Sequence, residues 1–213
     1  MSADNGIKKQ FVTSDWHVSH FNVLNFSNRP FKDLHHMHEV LINNYNSTVP
    51  EDGVCFFGGD MGMGNPLTLK KVIERLNGTK ILILGNHDKG PNKMYSLGFD
   101  AVMYGAVFHI AGEQITYTHC PLRDTYREDT SKMKNNANCP NWHGEDREKY
   151  QKFCIPNWGQ YHLHGHIHSP NSGQSNKIEG RQYDVGVDAN NYRPVSFSAL
   201  ESWISLGRQG VKK

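Results

Sequence analysis

"ILILGNHDKG" occupies residues 81–90 and joins two kinds of chemistry in ten positions. Ile81, Leu82, Ile83 and Leu84 form a short, wholly apolar run bounded by turn residues, the pattern of a strand buried on both faces. It stops abruptly at Gly85, Asn86, His87 and Asp88. A buried strand that ends in an amide, an imidazole and a carboxylate delivers three polar groups to one edge of a sheet. The same event recurs outward along the chain. A strand over residues 10–13 runs into Ser14-Asp15-Trp16-His17, and one over 53–57 ends at Gly58-Gly59-Asp60. Helices are expected between them. Leu34, Met37, Leu41 and Tyr45 recur at helical spacing over residues 33–48, with Asp33 as N-cap. Residues 66–76 form a second helix, with Asn65 as cap, Pro66 in the first turn and Gly78 just past the end.

Alternating strand and helix predict an α/β fold with a partly parallel sheet. Open α/β sheets place ligands beyond the carboxyl ends of their strands, which is where these polar clusters fall. The second half reads as richer in strands, over residues 99–104, 106–111, 114–119, 160–163 and 183–187, with a closing helix over 198–206. Residues 120–159 read as an irregular insertion on the substrate side, with one brief helix near 146–153. No repeat, low-complexity tract or linker divides the chain, so residues 1–213 are expected to form one domain.

Composition excludes several classes. The chain has 213 residues, with 23 Lys and Arg against 21 Asp and Glu, a formal net charge of +2. That balance argues against extensive tracking along a nucleic-acid backbone, so long DNA or RNA is not the expected partner. No stretch approaches the ~18 apolar residues of a membrane span, and "MSADNGIKK" lacks an apolar export core, so a cytoplasmic location without membrane contact is expected. Cys55, Cys120, Cys139 and Cys154 contain no C-x-x-C pair and read as reduced thiols, with a Cys139–Cys154 disulfide left open. Oligomeric state leaves no trace in the sequence.

Collected together, the polar strand ends are Asp15 and His17; Asp60; Asn86, His87 and Asp88; His119; and His166 and His168. Each alone has an ordinary explanation: Asp15 as a helix cap, Asn86 and Asp88 as turn formers, His119 as a core histidine. Jointly, several imidazoles, two carboxylates and an amide oxygen suit borderline and hard cations. Residues two apart on extended backbone face the same side, which fits both Asp15 with His17 and His166 with His168. By the same alternation Cys120 should point away from His119.

In order, "DWH", "GGD", "GNHD", "THCP" and "GHIH" resemble the motifs of the calcineurin-like binuclear metallophosphoesterases. The stretches "DWHVSHFNVLNFSNRPF" and "GVDANNYRPVS" look like small prokaryotic and phage members in particular. The resemblance runs from Phe11 to about Pro194. It implies a four-layer α/β/β/α sandwich and two divalent or trivalent ions, Mn2+ first, with Fe, Zn or Ni as alternatives. Asp15, His17 and His168 would hold one ion; Asn86, His119 and His166 the other; Asp60 would bridge them. His87 would act as general acid, oriented by Asp88. Two metals about 3.5–4 Å apart can clamp a phosphoryl group and activate a shared, bridging water or hydroxide.

The implied activity is hydrolysis of a phosphate ester, favouring a phosphodiester of a nucleotide or small nucleic acid. The alternatives are a phosphomonoesterase of the same fold and a metal-binding scaffold or interaction module without catalysis. His20, Lys89, Arg123 and Tyr126 are candidates for substrate contact, with Arg127, Trp142 and His143 in the same insertion. After Asp60 the run Met61-Gly62-Met63-Gly64 lacks the polar residue that many family members carry there.

Overall fold

The computed structural model describes residues 9–122, 151–170 and 181–210. It is mixed α/β, with two sheets and five helices among those residues. The first sheet contains β1 (Gln10–Thr13), β2 (Val54–Phe57), β3 (Thr79–Ile83) and β4 (Ala101–Met103). Its order is β4-β3-β2-β1, all parallel, and the short β9 (Val195–Ser196) closes the far edge antiparallel to β1. The second sheet has the order β5-β6-β7-β8: Ala106–Ile110, Glu113–Tyr117, Tyr161–His164 and Gln182–Asp184. β5 and β6 form a hairpin, while β7 and β8 continue parallel to β6.

Successive residues of the first sheet face opposite cores. Phe11, Cys55, Phe57 and Leu82 pack on a helical side, with Met37, Leu41 and Tyr45 of α2 (Leu34–Asn46), Leu69, Val72 and Ile73 of α3 (Pro66–Glu74) and Met94 of α4 (Pro91–Ser96). Val12 and Ile83 face the other way, onto Ile115, Tyr117, Leu163 and Val185 of the second sheet. Phe56 meets Phe108 across this gap at 4.8 Å between ring centroids. The closing helix α5 (Phe197–Gly210) adds Leu200 and Ile204 to the inter-sheet core. All the first sheet's parallel strands therefore end on one edge, next to the carboxyl ends of β6 and β7.

The expected caps are present. The Asp33 carboxylate accepts from His36 N–H at 2.7 Å, and Asn65 Oδ1 accepts from Leu67 N–H at 2.9 Å; each such cap contributes about 1 kcal/mol. Three elements went unread: α1 (Val23–Phe26), α4 and β9 are too short for periodicity to register. Two expected strands end early. β6 stops at Tyr117, two residues before His119, and β8 stops at Asp184, after which the chain passes into a 3-10 turn over Asp188–Asn190. Of the brief helix near 146–153, the 3-10 turn Gln151–Phe153 is described and the remainder lies outside the described residues. Among the described residues no helix is long and apolar enough to cross a membrane. Cys55, Cys120 and Cys154 form no disulfide among the described residues; Cys139 lies outside them.

Candidate metal centre

Trp16 sets the first loop. It lies between two polar residues, is 1% exposed, and packs edge-on to Tyr45 and tilted to Phe57 with centroids 5.7 Å away in both cases. Burying an indole contributes about 4–6 kcal/mol by area. With Trp16 anchored in the helical core, Asp15 and His17 are turned to the sheet edge. Their backbone is not extended, however. Asp15 and His17 have φ of 60° and 52°, Asp60 has 51°, and His166 and His168 have 71° and 47°. Five residues picked from the sequence as ligands thus sit in the left-handed region, which costs a side-chain-bearing residue about 1–3 kcal/mol. The two-residue spacing does bring the pairs to one side, but through alternating backbone handedness rather than a strand.

Close approach of the loops requires small residues at two points. A Cβ on Gly85 would run into Asp60 Oδ1 and Asp60 N, and one on Gly165 would run into Asp15 Oδ2 and Ser14 Oγ.

The donor atoms converge. His17 Nε2 lies 3.1 Å from His168 Nε2 and 3.6 Å from Asp60 Oδ2. His119 Nε2 lies 2.8 Å from Asn86 Oδ1, 3.4 Å from Asp60 Oδ2 and 3.3 Å from His166 Nδ1, which is itself 3.0 Å from Asn86 Oδ1. Three groups can hold a metal ion, each with donor atoms within 4.8 Å of one another: Asp15, His17 and His168; Asp15, Asp60 and His119; His119, Cys120 and His166. The third corrects the expectation for Cys120, which stands with His119 rather than away from it. β6 has already ended, and the bend at His119–Cys120 cancels strand alternation.

Ring tautomers follow from the outer contacts. His119 Nδ1 lies 2.7 Å from the Gly58 carbonyl, and His168 Nδ1 lies 2.7 Å from Asp188 Oδ2. A carbonyl, and a carboxylate already held by a guanidinium, only accept. Both Nδ1 atoms therefore carry the proton, and in the neutral rings each Nε2 aims a lone pair inward, the arrangement seen behind metal-bound imidazoles. At His119 that lone pair would face the lone pairs of Asn86 Oδ1 and Asp60 Oδ2, a repulsion that a proton or a cation removes. Without a cation the proton wins: burial opposes a charge on His119, yet Asp60 raises it to about 10. Asp60 is correspondingly held well below the usual carboxylate range, because His119 and His17 outweigh its burial. Burial lowers His17 to about 2 and His166 to about 3, and pushes the Asp15 carboxyl up to about 6. Asp15 Oδ1 is buried and has no hydrogen-bond partner among the described residues. An orphaned buried carboxylate oxygen beside inward-facing imidazoles fits a cation.

Around this group stand the remaining candidates. His87 is half-exposed at the mouth, its Nε2 4.0 Å from Asp60 Oδ2, and its backbone N–H donates to Asp60 Oδ1 at 2.8 Å. His20 lies at the rim, Nδ1 3.0 Å from His17 Nδ1, its ring 5.9 Å from that of His87. Lys89 is exposed on the same loop as His87. Arg123, Tyr126, Arg127, Trp142 and His143 lie outside the described residues. Asp88 does not orient the His87 ring. Its two oxygens accept the backbone N–H groups of Asp60, Gly85 and Met61 at 2.8–2.9 Å, so it ties two motif loops together instead.

Two residues escaped the sequence reading. Arg29 is buried and donates through Nε and Nη2 to both oxygens of Asp188 at 2.8 Å, and also to the carbonyls of Asp15 at 2.6 Å and Trp16 at 3.0 Å. Asp188 in turn holds His168. Both fall inside the quoted stretches "NRPF" and "GVDANN", but their partnership spans 159 positions.

No family model matches the sequence. The uncharacterized protein MJ1445 of Methanocaldococcus jannaschii is 26% identical over 206 residues, covering 95% of this chain and 94% of that protein. Among solved structures, AQ665, a protein of unknown function from Aquifex aeolicus, aligns with a TM-score of 0.63 at 22% identity, over 92% of this chain and 99% of the other. A phosphopantetheinyl hydrolase from Mycobacterium tuberculosis aligns with a TM-score of 0.42 at 12% identity, over 88% and 95% of the two chains. The Aquifex protein shares the fold along nearly the whole chain; the mycobacterial likeness is too distant to bear on the chemistry.

Proposed function

We propose that this chain is a metal-dependent phosphoesterase of the calcineurin-like type, acting on a phosphodiester of a nucleotide or small nucleic acid. The helix, sheet and sheet layers would then be three of the four layers of that family's sandwich. The observation that carries the reading is the convergence of seven donor side chains from both sheets, with His87 half-exposed beside them. Asp15, His17 and His168 would hold one cation, and Asn86, His119 and His166 a second, with Asp60 between the two groups. Manganese suits the oxygen and imidazole donors, as do iron, zinc and nickel. Bound divalent cations would polarise the phosphoryl group and lower the pKa of an attacking water.

The chain's own residues do the rest. The metal ligands converge from the loops at the ends of both sheets and would set where the phosphoryl group sits. His87 stands where the departing group leaves, and the Asp60 carboxylate fixes its backbone through the N–H contact. As the P–O bond breaks, the ester oxygen takes the proton from His87, which matters most for an alkoxide. His20, at the rim with His87, is set to meet the substrate's outer portion.

Turnover of bis-p-nitrophenyl phosphate over p-nitrophenyl phosphate by manganese-reconstituted protein is the expected result. Failure to turn over either would contradict the reading. His87→Asn should slow alkyl-leaving substrates by about 10²–10⁴-fold and largely spare nitrophenyl ones, whose leaving group departs unprotonated. Equal losses on both would remove the acid role.

A further inference from the structure

We propose that the Cys120 thiolate is a further donor to the cation at Asn86, His119 and His166, making that position softer than its neighbour. The inference rests on the metal reading above and adds a ligand to it. Cys120 follows His119 in a bend rather than a strand. The Thr118 hydroxyl donates to the Cys120 carbonyl at 3.0 Å, and the Cys120 N–H donates to the Phe153 carbonyl at 3.0 Å. The next contact along, from Gly165 N–H to the His119 carbonyl at 2.9 Å, pins the same bend to the loop carrying His166.

In that arrangement the Cys120 sulfur and a ring nitrogen of both His119 and His166 lie within 4.8 Å of one another. Two donors on one cation stand no farther apart than the sum of their bonds, about 4.4 Å for imidazole nitrogen and thiolate sulfur. A small side-chain adjustment brings the sulfur into range.

The thiol is fully buried, so water does not compete for the position. Its sulfur is also in hydrogen-bond contact with the Cys154 thiol. On binding, the Cys120 S–H bond breaks, a sulfur–metal bond forms and the proton leaves to buffer. Nothing is oxidised. Two imidazoles, an amide oxygen and a thiolate favour zinc, cobalt or ferrous iron, whereas Asp15, His17 and His168 offer only nitrogen and oxygen. The two positions should therefore sort unlike metals.

The test uses the full-length protein under reductant, stripped of metal and loaded with cobalt(II). The expected result is a near-ultraviolet sulfur-to-cobalt charge-transfer band. Cys120→Ser should lose it with its cobalt content retained, while Cys154→Ser and Cys55→Ser keep it. Zinc-loaded wild type should show a sulfur scatterer at about 2.3 Å by X-ray absorption, a measurement independent of any variant's folding. Bound metal with only nitrogen and oxygen neighbours, or a band that survives Cys120→Ser, would overturn the inference while leaving the metal reading intact. Absence of any bound cobalt or zinc would overturn both.

Discussion

The Asp15, His17 and His168 side of the centre is backed by charge. A buried guanidinium, Arg29, clamps Asp188, which fixes His168, and the same guanidinium holds the carbonyls of Asp15 and Trp16. The Asn86, His119 and His166 side is backed by uncharged groups: the Gly58 carbonyl behind His119 and the Phe153 ring 6.1 Å from it. The backbone differs in parallel. All three residues of the first side are left-handed, but only His166 of the second is. Left-handed residues persist only where their surroundings over-determine them. The charged network and the buried Trp16 do that on the first side, so its geometry is strained and held, while the second side is closer to relaxed.

Arg29→Met should separate the two sides most sharply. Removing one partner of a buried ion pair strands the other, at a cost of about 3–5 kcal/mol. Urea denaturation should show that loss, and elemental analysis of the folded fraction should show the second cation retained and the first depleted. A loss below about 1 kcal/mol, or equal depletion of both, would dissolve the distinction between them.

Asp88→Asn should have a smaller effect that falls on both sides. It turns one of the oxygens that accept from Asp60, Gly85 and Met61 into a donor, at about 1–3 kcal/mol. Selective loss of one cation would contradict the tie it makes between loops.

A third effect is on pH dependence. In metal-free protein His119 titrates near 10 instead of the ordinary 6.5. A raised imidazole contributes stability that is complete below its unfolded value and lost as pH rises through the folded one. Metal-free protein should therefore weaken between about pH 7 and 10, whereas loaded protein, in which a cation replaces that proton, should not. Parallel curves for the two forms would show that His119 is not where cation and proton compete.

Much of the centre was legible because apolar strands stop so abruptly at polar residues. Leu84 to Asn86 is such a boundary, and so is Phe57 to Asp60. Spacing alone did not reveal how those residues are held. Two residues apart reads as extended, and nothing in "DWH" or "GHIH" announces left-handed backbone. Arg29 and Asp188 were unreadable as a pair because ion pairing across 159 positions leaves no local pattern. Asp88 was misassigned for a related reason. A carboxylate next to a histidine suggests a partner, but its geometry let three backbone N–H groups claim it first. Cys120 turned inward because β6 ended two residues earlier than its apolar pattern implied.

Anomalous diffraction from crystals of manganese-loaded protein tests the central claim most directly. Two peaks are expected, one bounded by Asp15, His17 and His168 and the other by Asn86, His119 and His166, with Asp60 between them. Peaks elsewhere on the chain, or none in fully loaded crystals, would contradict the convergence of the two sheets on a cation pair.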